Sequence, residues 1–402
     1  MSDASNQPLA GILVADFTQV MLGPSATQLM GDHGADVVKV ERAGAGDLSR
    51  STLPSDPDGP QNPVYSSLNR NKRSIALDLR QERDREVARE LVRRADVVVS
   101  NFRPGVMERL GLGWEAVQAL NPRAVYALGT GYGSAGPYAG KGGQDMLAQA
   151  MMGVIERRAD PTLPPTLFAT TLADYSAGMH LFQGVLLALM ARERTGLGQK
   201  VEVSLHDALL SMQMQEATHQ LMRGAPLNWA SMPHTGTFET TDGALVIVGA
   251  FRDNPVRDIS LALGLDDLSL DPRFATFDAL VEHVVAFRAL LAARIETDTT
   301  AHWLERLEAD DLLCAPVRSL ADALDDEQTA VNGMVLEVTR GDGSSFRTVA
   351  SPLHLSGTPA QLRLAPPQLG EHTDELLEEL GFGAAAAAAA GGGGPATNGA
   401  RP

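Results

Sequence analysis

Asp174 is the residue of this sequence best placed to do chemistry, within the run Thr171–Ala208, TLADYSAGMHLFQGVLLALMARERTGLGQKVEVSLHDA. It stands at the mouth of a long apolar segment, Gly178–Met190, whose last turn carries Arg192 and Arg194 and whose Gly196 suits a left-handed C-terminal cap. A helix with that start and stop leaves unpaired N–H groups and the positive end of its dipole beside Asp174, where they favour an ionised carboxylate. The neighbours Ala173, Ser176, Ala177 and Gly178 are small. A carboxylate nucleophile there is open to a bulky electrophile such as a thioester. The position also suits a plain helix cap, the commonest task of aspartate at a helix start.

Other residues with chemical potential reduce to structure. Gly131, Gly133 and Gly136 spell G-x-G-x-x-G after the strand Ala124–Leu128, but Pro137, Gly140, Gly142 and Gly143 follow where a dinucleotide fingerprint needs a helix. The segment is therefore a loop. Ser134 falls short of G-x-S-x-G because Tyr132 holds the first glycine position. His180 and His206 lack ligand spacing with another histidine or carboxylate and are structural. Cys314 is the only cysteine, which excludes an intrachain disulfide and a multi-cysteine metal site, so no metal is expected. It is a small buried apolar residue in this reading.

The elements that must position Asp174 begin with a βαβ unit: strand Gly11–Asp16, a helix opened by Pro24 and running to Asp32, strand Ala35–Glu41. Helix Arg83–Arg94, strand Asp96–Ser100, helix Trp114–Leu120 and strand Ala124–Leu128 continue the alternation, and Lys200–Ser204 adds a strand. The pattern predicts an α/β fold with a doubly wound, Rossmann-like parallel sheet, and ligands outside the carboxyl ends of its strands. Arg42, Asn101 and Phe102 all follow strand ends. A hairpin at Phe238–Gly249 opens a smaller α+β domain over 226–325, and the large domain, 1–225, is completed by 326–382 with strands near Val335–Thr339 and Phe346–Val349 and a helix at Asp374–Leu380. The alanine and glycine runs of Gly383–Pro402 read as a disordered tail.

The 402 residues suffice for two cores. A formal net charge of −17 argues against a nucleic-acid partner. No apolar run reaches membrane-span length and no leader pattern is present, so a cytoplasmic protein is expected. Against the acidic background, Lys39, Arg42, Arg70, Lys72, Arg73, Arg80, Arg103 and Arg109 could converge on one polyanion.

Four further motifs add a resemblance: DFTQVMLGPSATQLMGDHGADVVKVER at Asp16–Arg42, NRNKRSIALDLR at Asn69–Arg80, NFRPGVMERLGL at Asn101–Leu112 and LGEHTDELLEELGF at Leu369–Phe382. With the Asp174 segment, DPRFATFDALVEH at Asp271–His283 and CAPVRSLADAL at Cys314–Leu324, they resemble the family III CoA-transferases nearly end to end. The resemblance implies that Asp174 is the nucleophile. It implies that coenzyme A, a substrate rather than a tightly bound cofactor, meets Met21, Leu22, Arg42, Leu77, Asp78, Arg80, Asn101, Phe102, Arg109 and Asp145. A carboxylic acid is the second substrate, Gln144 its contact, and an interlocked homodimer the expected assembly. Racemases of the same fold carry Gly-His-Asp where this chain has Gly143-Gln144-Asp145. An amide has no basic lone pair to replace that histidine in proton transfer. Asp145 has two readings, a site-positioning or coenzyme A contact and a cap for the helix that follows it. Met21 and Gln144 depart from the formyl-CoA transferase pattern, which favours a larger, dicarboxylic acid with succinyl-CoA as donor.

Overall fold

The computed structural model describes residues 6–158, 160 and 162–383. Apart from Gly383, the expected tail Gly383–Pro402 lies outside the described residues. The chain forms two compact units. One holds the residues up to Met152, Leu167–Gln213 and the chain from Gly333 onward; the other holds Gly153–Thr166 and Met214–Asn332. These divisions lie twelve residues before the expected 225/226 boundary and seven after the expected 325/326 one. Asn228 Nδ2 donates to Arg158 O at 2.7 Å, which ties 153–166 to the second unit.

The first unit is a six-stranded parallel sheet of β1 (Leu13–Asp16), β2 (Asp36–Arg42), β3 (Lys72–Leu77), β4 (Val97–Ser100), β5 (Val125–Thr130) and β6 (Lys200–Ser204). The spatial order is β3-β2-β1-β4-β5-β6, so the direction of winding reverses between β1 and β4. That reversal opens a crevice at the carboxyl ends of the two strands. Six helices position the site: α1 (Leu22–Asp32), α2 (Glu82–Arg94), α3 (Trp114–Leu120), α4 (Asp145–Met151), α5 (Leu172–Thr195) and α6 (Leu205–Met212).

Strand alternation explains the layers. Ala15, Val38, Ile75, Val98 and Tyr126 point to one face and share a buried core with Val87 and Leu91 of α2 and Val117 of α3. On the other face α5 packs on β5 and β6 and against α1. Gly178 sets the α1–α5 distance: a Cβ there would lie 2.1 Å from Ser25 Oγ and 2.7 Å from Leu22 O. The bare backbone lets the starts of the two helices meet. Gly196 ends α5 at φ 73°, its N–H donating to Arg192 O at 2.8 Å.

The C-terminal part returns to this unit as a hairpin, β10 (Val335–Thr339) and β11 (Ser345–Val349), and a closing helix, Thr373–Glu379. Leu376 and Leu380 enter the same core as Phe17 and Val38, and His372 N donates to Ser74 O at 3.0 Å. The second unit is α+β, as expected. Its antiparallel sheet joins β7 (Thr235–Glu239), β8 (Ala244–Val248) and β9 (Leu313–Pro316) over a core of Phe238, Leu245, Phe287 and Trp303. Cys314 lies on β9, an edge strand, and is half-buried rather than buried.

Candidate active site

Asp174 occupies the third position of α5. The first N–H groups of a helix have no intrahelical acceptor, and the sequence assigns that end to Asp174. The structure gives it to Asp145. Asp145 Oδ2 accepts the N–H of Ala173 at 2.7 Å and of Asp174 at 3.0 Å, while Oδ1 accepts Gln149 Nε2 at 2.7 Å. Gln149 also donates to Thr170 O at 3.1 Å and accepts the N–H of Phe168 at 3.1 Å, stitching α4 to the segment that leads into α5. Gln144 caps α4 itself, its Oε1 accepting the N–H of Met146 at 2.9 Å. The cap reading of Asp145 therefore holds for a different helix than the one it begins.

Without those amides, the half-buried Asp174 carboxylate sits in an unfavourable environment for its charge. Burial first and the neighbouring Asp145 charge second push its carboxyl up to about 6. The expected easing of its ionisation by the helix end is thus corrected, because Asp145 has taken the donors that would supply it. At neutral pH the group is still mostly ionised, and a more basic carboxylate is a better nucleophile.

Asp174 faces a cleft of about 340 Å³ at the carboxyl ends of β1, β4 and β5. Met21, Leu22, Asn101, Phe102 and Gln144 line it too. Asn101 acts on backbone: its Oδ1 accepts the N–H of Gln19 at 2.8 Å and its Nδ2 donates to Gln19 O at 2.7 Å. Thr171 Oγ1 lies 2.8 Å from Met21 Sδ. Arg42 and Leu77 are register partners at the ends of β2 and β3, beyond the cleft lining. Asp78 and Arg80 follow β3 and pair at 2.8 Å, and Arg109 is exposed at the end of the short turn Val106–Arg109. Asp145 is only 1% exposed and does not line the cleft. Its carboxylate accepts three N–H groups from within the protein.

The expected convergence of basic residues is overturned for Lys39, Arg70, Lys72 and Arg73. Lys39 pairs with Asp47, Arg70 with Asp32, Lys72 with Asp16, Arg73 with Asp36, and Arg80 with Asp78. Charges in or beside buried strands must find partners, and Lys39, Arg70, Lys72 and Arg73 have done so within the fold, whereas Arg80 stays exposed beside its partner. Arg103 does reach the cleft, together with Lys141, which sequence reasoning did not single out. Among the described residues no group of three or more His, Cys, Asp or Glu could hold a metal ion, and no helix is long and apolar enough to cross a membrane.

Two further features were missed. Val20 has φ 65°, a left-handed conformation that a β-branched residue rarely adopts. Its N–H donates to Asp47 Oδ1 at 3.0 Å. The glycine-rich segment is a loop, as expected, but its neck is closed by contact between Gly131 and Gly143: a Cβ on Gly143 would lie 2.3 Å from Gly131 Cα. The sequence signal for the first was Lys39, a charge inside an apolar strand; for the second it was glycine at both ends of the loop.

Similarity to known proteins identifies the family of this fold. A family model described as CoA-transferase family III matches residues 9–373. An acyl-CoA transferase from Fusarium pseudograminearum is 35% identical over 397 residues, covering 95% of this chain and 87% of that protein. A formyl-CoA:oxalate CoA-transferase from Streptomyces coelicolor is 35% identical over 399 residues, covering 93% and 96%. Among solved structures, a CaiB/BaiF family protein from Brucella suis superposes with a TM-score of 0.82 at 31% identity, over 93% of this chain and all of that one. With a match running from the first strand to the closing helix, the chain belongs to the family III CoA-transferases.

Proposed function

We propose that this CoA-transferase moves CoA from an acyl-CoA donor to a carboxylic acid through covalent intermediates on Asp174. Asp174 attacks the thioester carbonyl, the C–S bond breaks, and a mixed anhydride forms with release of CoA thiolate. The thiolate attacks the aspartyl carbonyl, giving an aspartyl-CoA thioester and the donor acid. An incoming carboxylate attacks that thioester and expels the thiolate, which takes the acyl group from the second anhydride and frees Asp174. Each step exchanges one activated acyl bond for another. The observation that carries this reading is the Asp174 carboxylate in the cleft, raised to about 6 and ionised at neutral pH.

In this proposal coenzyme A runs from the cleft, against Met21, Leu22, Asn101 and Phe102, toward Arg42, Leu77, Asp78 and Arg80, with Arg109 beside it and the acid at Gln144. Succinyl-CoA is the proposed donor and a dicarboxylic acid the acceptor. Arg103 and Lys141, cations in the same cleft lining as Asp174, support a second carboxylate on the acid. The protein works as an interlocked homodimer in the cytoplasm. Exposed Leu187 and Met190 on α5 and Leu210 and Met212 on α6 are apolar surface suited to a partner, and sedimentation at low concentration tests it.

Acyl-CoAs crossed with carboxylic acids, read by mass spectrometry, test the substrates. Trapping with hydroxylamine or borohydride, followed by peptide mapping, tests the nucleophile. An adduct on a residue other than Asp174, or full turnover by Asp174→Ala, overturns the mechanism.

A further inference from the structure

We propose that Asp145 is a positioning residue that withholds the N-terminal amides of α5 from Asp174, so that the nucleophile meets the thioester with no backbone hydrogen bond to its carboxylate. The inference rests on the reading of Asp174 as the nucleophile.

The geometry is specific. One carboxylate oxygen of Asp145 takes two consecutive amides, those of Ala173 and of Asp174 itself, and the other is fixed by Gln149. The side chain is 1% exposed and outside the cleft lining, so it acts from beneath the site. Two effects on Asp174 follow. The amides that would stabilise its anion are used by another anion, and that anion adds its own repulsion. Both effects vanish when Asp174 becomes an anhydride or thioester, because the acylated side chain carries no charge. The acylated state is therefore favoured relative to the free carboxylate.

Other ionisable groups near α5 are otherwise engaged or distant from this balance. The elements packed on α5 contribute Asp32 of α1, paired with Arg70; Tyr126 of β5; Lys200 and Glu202 of β6, paired with each other; and His206 and Asp207 of α6, also paired with each other. Along α5, Tyr175 and His180 are exposed, and Arg192 pairs with Asp96. Arg103 and Lys141 line the same cleft as Asp174, and their charge is opposite in sign to that of Asp145.

The test is the pH dependence of single-turnover acylation by an acyl-CoA, followed as covalent adduct in the wild type, Asp145→Asn and Asp145→Glu. In the wild type the acidic limb should lie near 6. Asp145→Asn keeps an acceptor for the amides but loses the charge, so the limb should move down by part of its shift, burial, the larger cause, being unchanged. The plateau rate should fall by no more than about threefold if the slope of nucleophilicity on basicity resembles the 0.4–0.5 of thiolates. Asp145→Glu should restore a limb near that of the wild type. A limb that stays in place in Asp145→Asn, while the adduct still maps to Asp174, overturns this inference and spares the nucleophile; an adduct elsewhere overturns the nucleophile. Should the asparagine variant fail to fold, carboxyl carbon NMR of the wild type against Asp174→Asn identifies the Asp174 titration directly, and a midpoint of about 4 or below overturns the inference.

Discussion

Lys39 Nζ lies 2.8 Å from Asp47 Oδ2 with neither side chain exposed, and the pair fixes the backbone at the cleft mouth. Lys39 also donates to Thr18 O at 2.9 Å, Asp47 accepts the N–H of Val20, and Asn101 clamps Gln19 from the other side. Three side chains thus hold three consecutive residues, which is how Val20 is kept in its left-handed conformation. Such strain costs on the order of 1–3 kcal/mol and persists only where the surroundings over-determine it.

Val20→Gly should therefore separate stability from activity. Glycine relieves the strain but adds roughly 1 kcal/mol of backbone entropy to be lost on folding. Melting should change little or rise slightly, while the KM for acyl-CoA rises because Met21 and Leu22 lose their fixed approach. Thermal melts and steady-state kinetics check this; unchanged kinetics would sink the idea that the held loop serves binding.

Asp47 gives the same network a pH signature. Burial pushes its carboxyl up, but Lys39 and the N–H groups of Ser49 and Val20 outweigh it and hold it at about 2. A carboxylate depressed in the folded state contributes stability above its unfolded value near 4 and loses it as pH falls toward 2. Denaturant melts between these limits should show Asp47→Asn losing its disadvantage to the wild type, of about 2 kcal/mol at neutral pH. A constant difference across the window would mean that the ion pair does not titrate with folding.

Asp174 should behave in the opposite sense. Its carboxyl is raised from 3.8 to about 6, so the folded state binds the proton more tightly between these values. Stability from this group is complete below about pH 4 and is lost as pH rises through 6. Asp174→Asn should abolish transfer yet be more stable than the wild type at pH 8 by about 2–3 kcal/mol, with the gain fading toward pH 4. Equal stability at pH 8 would show that the carboxylate is not under electrostatic stress.

Much of this organisation was legible. The parallel sheet followed from alternating strands and helices, the end of α5 from Arg192, Arg194 and Gly196, and the position of Asp174 from the small residues around it. The relation between Asp145 and Asp174 was not, because it joins residues of two helices that lie 29 apart in sequence. Nor were the partners of Lys39 and Lys72: spacing shows that a buried cation needs a carboxylate, not which one answers. Asp16 and Asp47 become evident only when the sheet order brings them within reach.

The neck of the loop offers a steric test. Gly143→Ala places a methyl 2.3 Å from Gly131 Cα, where backbone meets backbone and no side chain can yield. The loop carrying Ala139 and Lys141 must shift, so acid-dependent transfer should fall at least tenfold, about 1.4 kcal/mol, while the folded state survives as judged by circular dichroism. Wild-type turnover would show that the loop does not shape the acid site.

Transferase and racemase chemistry diverge at Gln144. Racemisation removes the α-proton from one face of a thioester enolate and returns one to the other, which needs a second base or acid opposite the first. Gln144 has a side-chain amide, and its carbonyl oxygen is already accepting the N–H of Met146; neither group can exchange a proton at neutral pH. Asp174 alone is one base on one face. An α-methylacyl-CoA incubated with the enzyme in deuterated water should stay unlabelled at the α-carbon, while a suitable free acid gains the CoA group. Replacing Gln144 by histidine should leave the fold intact and, if a second base is all that is missing, introduce slow labelling. Deuterium uptake by the wild type that Asp174→Ala abolishes, with no acyl exchange to any acid, would overturn transfer through Asp174 in favour of proton exchange.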